Sequence, residues 1–400
     1  MALAAACAGG NAVAADCKEE KATGTMSEAV FHGVDEATKL IGEKKYADAI
    51  AKLTKLAGEG SDFDKAVVQY NLGFAHSSKN DYAAAAESFA KAVAYKSLPG
   101  QQQEQLQFNL GQLYIVAGKH DEGIKALQEY LAIACKPVPA EAHIFLANAL
   151  VERKRYQEAV PQIDLALSKA KAPQQSWYEM KLAVNYEMKD FKACAQTLVV
   201  LIGMAPTKPD YWKQLSSMFF EMKSDVEAVA VLALADRQGY IDKPNERKNL
   251  YNVYMMLELP FKAGNFMQDS IDKGKVPADE ANLESVADAW INARESSRAE
   301  TTLKKLASMS EKGEYFYKLG AMYGDNEQWK DSRDMLKKSL EKGGLKRAGE
   351  AWMRLAVAEY NLKDTPGAVV ALQKAVTFDE TRKQASEWLR HLNAQLASAT

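Results

Sequence analysis

Five histidines, four cysteines and 53 carboxylates are the residues of this chain equipped for chemistry, and their spacing offers no reaction. His32, His76, His120, His143 and His391 stand apart, with no HExxH pair to hold a metal. Cys7, Cys17, Cys135 and Cys194 have neither zinc nor redox spacing, and there is no GxGxxG, Walker or GxSxG motif. The acidic side chains recur at repeat intervals and read as solvated helix faces. A net charge of −2 gives no basic footprint for nucleic acid, and no segment reaches the roughly 18 apolar residues of a membrane span. One pair has binding geometry: Lys248 and Asn252, four apart, share a helix face where an ammonium and an amide can hold a carboxylate, with Lys318 as a third member. Against it, Glu314 and Ser285 depart from the lysine and asparagine carboxylate clamp that this pair resembles. The chain therefore reads as no enzyme, with no catalytic residues, metal or cofactor. Its chemistry is recognition, and the elements that position recognition surfaces decide its function.

Those elements repeat. The stretch Gln69 to Ala94 places Leu72 and Gly73 early, Ala85 thirteen residues after Leu72, and Phe89 four after that. Spacings of three and four mark helices, and the polar break at Asn80 and Asp81 separates two of them, over about 66–79 and from about Tyr82. Counterparts of Ala85 fall at Ala49, Gly123, Ala159, Ala195, Ala228, Ala263, Ala299, Ser332 and Ala368, all small. Thirteen residues before each lies an apolar residue (Leu182 before Ala195, for example), except Glu36 in the first copy, and four after each lies another, Val199 among them. Ten copies at steps of 33 to 38 residues match the tetratricopeptide period of about 34 and predict an all-α solenoid of some ten helix–turn–helix repeats wound into a right-handed superhelix.

In chain order, residues 1–15 carry no charge and end in small-residue cleavage patterns. They read as the remnant of a secretory signal peptide whose basic start is missing, which implies periplasmic export. Residues 16–29 form a polar lead-in, 30–380 the repeats, and 381–400 a capping helix and tail, with Trp388, Leu389 and Leu392 facing inward. Pro161 falls inside a second helix, where a kink is expected; Pro260 and Pro366 open second helices, where proline fits. Cys194, beside the small-residue column, reads as a buried thiol. No cysteine pairing is selected.

Outside the repeat columns, the ADC of Ala15 to Cys17, DYWKQLSSMFFEM of Asp210 to Met222, ALADRQGYID of Ala233 to Asp242 and LEKGGLK of Leu340 to Lys346 carry a further likeness. With them the chain resembles the periplasmic tetratricopeptide proteins associated with bacterial TonB systems. That resemblance implies a non-enzymatic interaction scaffold contacting TonB, ExbB and ExbD and aiding uptake of iron carriers, and it supplies no site residue. The alternative is an envelope-assembly or cell-wall coordination factor of Tol–Pal or outer-membrane-biogenesis type. In this repeat type the first helix of each unit lines the concave side, and counting along the copies places Tyr70, Phe74, Phe108, Ile144, Met180 and Tyr317 there, an apolar row for a partner's protein or peptide segment.

Overall fold

The computed structural model describes residues 24–134, 137–310 and 312–398, which hold twenty-one helices and no strand. The signal-peptide remnant, Cys7, Cys17 and Cys135 lie outside the described residues. The chain divides into two compact units, up to Tyr211 and from Trp212.

In the first unit the helices pair as α1 (Glu28–Gly42) with α2 (Tyr46–Leu56), α3 (Asp62–Ser78) with α4 (Tyr82–Ala94), and α5 (Gly100–Val116) with α6 (His120–Ile133). Then come α7 (Ala140–Glu152) with α8 (Tyr156–Lys169) and α9 (Gln175–Glu187) with α10 (Phe191–Met204). The second unit holds most of α11 (Pro209–Glu221), tied to α12 (Asp225–Arg237) by a hydrogen bond from the Ser216 hydroxyl to the Ala228 carbonyl. It continues with α13 (Pro244–Met256) and α14 (Pro260–Asp272), α15 (Glu280–Asn292) and α16 (Ser296–Met309), and α17 (Gly313–Asp325) and α18 (Trp329–Lys342). The last pair is α19 (Ala348–Asn361) with α20 (Thr365–Ala375), and α21 (Arg382–Ser398) closes the stack. Leu392 of α21 is fully buried, with Trp388 and Leu389 packed on the same core, as a capping helix requires. Each unit is an α-solenoid.

One device ends the first helix of every pair. The residue two places before each second helix takes a left-handed backbone, with φ of 55° to 77°: Lys44, Asn80, Gly118, Lys154, Lys189, Lys223, Glu258, Arg294, Glu327 and Lys363. The N–H that follows it donates to the carbonyl five residues earlier, as from Asp81 to His76 and from Gln328 to Tyr323, at 2.8–2.9 Å in all ten turns. This is the Schellman closure, which satisfies helix-end carbonyls that would otherwise be left bare. Only Gly118 of the ten is the glycine that left-handed backbone favours. The second helix then starts with no loop to spare.

Counting from that residue fixes the register. Five positions on, the small side chain of every second helix is buried: Ala49, Ala85, Gly123, Ala159, Ala228, Ala263, Ala299, Ser332 and Ala368 as expected. The fifth copy differs. Five after Lys189 stands Cys194, not Ala195, and four later Leu198 is fully buried while Val199 is 58% exposed. The hydrogen bonds agree, because the Ser332 hydroxyl donates to the carbonyl twelve residues back (Gly320, 2.7 Å) and the Cys194 thiol does the same (Leu182, 3.7 Å). Lys181 takes the place expected for Leu182 and pairs with Asp164 at 2.6 Å. The cause is local: small residues stand at both 194 and 195 and apolar ones at both 198 and 199, so composition permits either register and the turn decides. Burial, with Asp190 nearby, pushes the Cys194 thiol up to about 11.

Close helix approach depends on small residues in the first helices too. A Cβ on Gly73 would fall 2.3 Å from Phe89 Cδ1, so that position admits only glycine without moving the ring. Two first helices begin a turn earlier than expected. At α3 the Ser61 hydroxyl accepts from the Asp64 N–H while the Asp64 carboxylate accepts from the Ser61 N–H, a capping box that opens the helix at Asp62. Pro99 precedes the extra turn of α5. Pro161 lies on the exposed side of α8, which continues as one helix of 14 residues through it.

One of the segments that carry the likeness outside the repeats, Ala233 to Asp242, is held by a staple. Arg247, only 2% exposed, donates from Nη1 to Asp236 (2.7 Å) and to the Ile241 carbonyl (2.8 Å), and from Nε to Ser270 (2.7 Å). Its guanidinium stacks 4.4 Å from the Phe266 ring centroid. A buried cation survives only when its donors are met. Here it pins the RQGYID turn to the two helices that follow.

Candidate functional site: a cleft on the first helices

Ten residues before the left-handed residue lies the position from which the expected row was counted. Tyr70 and Phe74, one helical turn apart on α3, are 38% and 52% exposed, and the Tyr70 ring stacks on Phe89 at 5.8 Å. Phe108 on α5 is half-buried between Tyr130 (5.0 Å) and Phe145 (6.5 Å). Ile144 on α7 is buried in a core with Ala147, Ile163 and Trp177, so it packs and presents no surface. Helix α7 is apolar on nearly every side, and counting could not tell which side faces out. Met180 is half-buried against that same core.

The shifted register of the fifth pair puts Glu179, not Met180, at the row position. Its carboxylate accepts from the Tyr211 hydroxyl, from Gln175 (3.0 Å) and from Lys208 (3.2 Å). Those donors, Tyr211 first, hold it down to about 2, so it is ionised at neutral pH. In the first unit the exposed apolar surface of the row is therefore concentrated at α3.

Tyr317, the sixth expected residue, lies elsewhere, in a cleft of about 600 Å³ within the second unit. Three successive first helices build it: α15 with Trp290 and Ile291, α17 with Tyr317, Lys318, Ala321, Met322 and Asp325, and α19 with Arg354, while Arg294 enters from its turn. Most of the charge is already matched. Lys318 Nζ sits 2.7 Å from Asp288 and 3.1 Å from Glu284. Burial works against its charge, but the two carboxylates prevail and raise it above the usual lysine value. Arg354 donates to Asp325 at 2.9 Å, and Tyr317 donates to Glu350 at 3.2 Å. Burial raises the Tyr317 hydroxyl above the ordinary tyrosine value although Arg354 pulls it down, so it remains a donor. Arg294 is exposed and has no ion pair among the described residues.

The cleft thus offers an apolar floor, a hydroxyl, and one cation without a counter-charge. That suits a polypeptide segment carrying an apolar side chain next to a carboxylate. The lysine and asparagine pair on α13 does not belong to it: Lys248 and Asn252 are exposed there, and Lys318 is already held by two carboxylates. Trp290, Arg294 and Arg354 escaped the sequence reading because they occupy different places in their repeats, so no column points to them. Among the described residues no group of three or more His, Cys, Asp or Glu side chains is arranged to hold a metal, and no helix is long and apolar enough to cross a membrane.

A tetratricopeptide repeat model matches residues 70–136, 108–176 and 317–384. No curated protein sequence matches the chain. Among solved structures, a tetratricopeptide repeat protein from Parabacteroides merdae is 12% identical with a TM-score of 0.36, over 65% of this chain and 98% of that one. YrrB, described as a TPR protein with an unusual peptide-binding site, is 15% identical with a TM-score of 0.36, over 46% of this chain and 90% of its own. The Cut9–Hcn1 assembly gives 12%, a TM-score of 0.32, and 90% and 83%. Where the family model matches, the chain is built of tetratricopeptide repeats, and the helix pairs between those stretches follow the same plan.

Proposed function

We propose that this protein is a periplasmic interaction scaffold that holds a segment of a partner polypeptide against the first helices of its repeats, as an accessory of TonB-dependent transport. Tetratricopeptide proteins are in general scaffolds for protein interaction, and the matched model is a repeat model, not a catalytic one. The observation that carries the reading is the cleft of about 600 Å³ on α15, α17 and α19, with Tyr317 at its wall and Arg294 unmatched at its edge. The exposed pair Tyr70 and Phe74 offers a second contact in the first unit. The TonB assignment is supported by the segments Asp210 to Met222, Ala233 to Asp242 and Leu340 to Lys346, which resemble that group outside the repeat columns.

The test is direct binding. Purified periplasmic portions of TonB, ExbB and ExbD are titrated against the wild type, Tyr317→Ala and Arg294→Asn, the last chosen because asparagine tolerates the left-handed turn. At least one portion should bind the wild type and lose about tenfold or more in affinity with each folded variant. Binding unchanged in both variants would remove the cleft. Failure of all three proteins, with capture of a Tol–Pal or outer-membrane-biogenesis component instead, would move the scaffold to the envelope-assembly or cell-wall coordination role.

A further inference from the structure

We propose that a second cleft, between α18, α19 and α20, binds an arginine side chain of a partner polypeptide. It measures about 450 Å³, and Lys337, Glu341, Trp352, Glu359, Asp364 and Val370 are among its lining residues. Trp352 and Glu359 lie on one stripe of α19, while Arg354 of the first cleft projects from another, so the two sites share a helix but not a face.

Glu359 carries the argument. It is 2% exposed, its Oε1 meets Lys337 Nζ at 2.6 Å, and its Oε2 has no hydrogen-bond donor. Buried carboxylate oxygens are almost always met by a donor, because leaving one bare forfeits its hydration without return. Lys337 cannot serve both oxygens and the surrounding charge: Glu341 has no ion pair among the described residues, and Asp364 spends Oδ1 on the Gly367 N–H at 2.9 Å to cap α20. Three carboxylates and one ammonium therefore line this cleft, and the complement is a cation. The first cleft has the opposite demand, an unmatched guanidinium.

The shape selects among cations. No metal-holding group of three or more acidic, histidine or cysteine side chains is found among the described residues. A planar guanidinium can stack on Trp352 and send one N–H to Glu359 Oε2 and another toward Glu341, which the point charge of lysine does less well. Val370, 55% exposed, lines the same cleft as Trp352, and such exposed apolar surface favours a side chain presented by a polypeptide over free arginine.

The experiment titrates the full chain with N-acetyl-arginine amide, with the acetylated tripeptide amide Leu-Arg-Leu, and with N-acetyl-norleucine amide as the uncharged control, reading calorimetry and the Trp352 indole NMR signal. The arginine probes should bind in the millimolar range or tighter and move that signal, with the tripeptide tighter than the single residue. Glu359→Gln should weaken them about tenfold, and Glu341→Gln several-fold, while Arg294→Asn has no effect. Equal binding of the norleucine probe, no response of Trp352 to any probe, or unchanged binding in Glu359→Gln would overturn the proposal, the orphan oxygen then being met by water alone. Should Glu359→Gln fail to fold, unchanged binding in Glu341→Gln overturns it equally.

Discussion

Two adjacent residues of α10 offer the sharpest test of how the repeats are counted. Leu198→Ala and Val199→Ala are similar truncations one residue apart. The side chain of Leu198 is fully buried, so removing three carbons costs about 2.4 kcal/mol in transfer at about 0.8 per methylene, and the cavity raises this to roughly 3–4. Val199 is 58% exposed, so two carbons cost at most about 0.7 kcal/mol, and alanine returns about 0.5 through its better helix propensity. The expected difference is about 3 kcal/mol, with Val199→Ala near neutral. Urea denaturation followed by circular dichroism measures both. Equal losses, or a larger loss at Val199, would restore Ala195 and Val199 to the repeat columns and return Met180 to the row in place of Glu179.

Two further perturbations probe the scaffold. Arg247→Ala removes three hydrogen bonds and a ring stack from the second unit and leaves Asp236 and the Ile241 carbonyl unanswered. Because Asp236 is partly hydrated, the loss should be about 3 kcal/mol, read by tryptophan fluorescence, since five of the six tryptophans lie beyond residue 211; a change under about 1 kcal/mol would deny the staple its role. Asp64 titrates below its ordinary value: burial opposes its charge, but the Ser27 and Ser61 N–H groups and the Ser61 hydroxyl favour it. Its stabilisation is present above the unfolded value of about 3.9 and is lost as pH falls through the lower folded value. Asp64→Asn should therefore cost about 2 kcal/mol at pH 7 and flatten the acid limb of the stability profile below pH 4, and an unchanged limb would assign the acid sensitivity to other carboxylates.

The repeat architecture was legible because three columns, typified by Leu72, Ala85 and Phe89, mark the places where helices cross, and helix crossings constrain residue size. The turn itself was not, since nine of its ten left-handed positions hold Lys, Asn, Glu or Arg where glycine would have announced it. Hence the one-residue slip at Cys194, and with it the misplaced Met180. The counted row divides in the structure: Tyr70 and Phe74 are exposed and Tyr317 lines a cleft, but Ile144 is buried in a core because α7 offers apolar residues on nearly every side. Trp290, Arg294 and Arg354 converge from α15, from the turn that follows it and from α19, a relation that spacing along one chain does not encode.

The left-handed turns have an evolutionary consequence. Each is closed by the same backbone hydrogen bond, at a conformational cost of about 1–2 kcal/mol for a residue with a Cβ, and all nine such residues are exposed. Stability is thus indifferent to which long polar residue occupies the apex. In the second unit the apices run Lys223, Glu258, Arg294, Glu327, Lys363, alternating in sign from one repeat to the next. Such a series of charges can be rewritten by single substitutions without disturbing a packed contact, so a lineage can change what its repeats recognise while inheriting the same stack of helices.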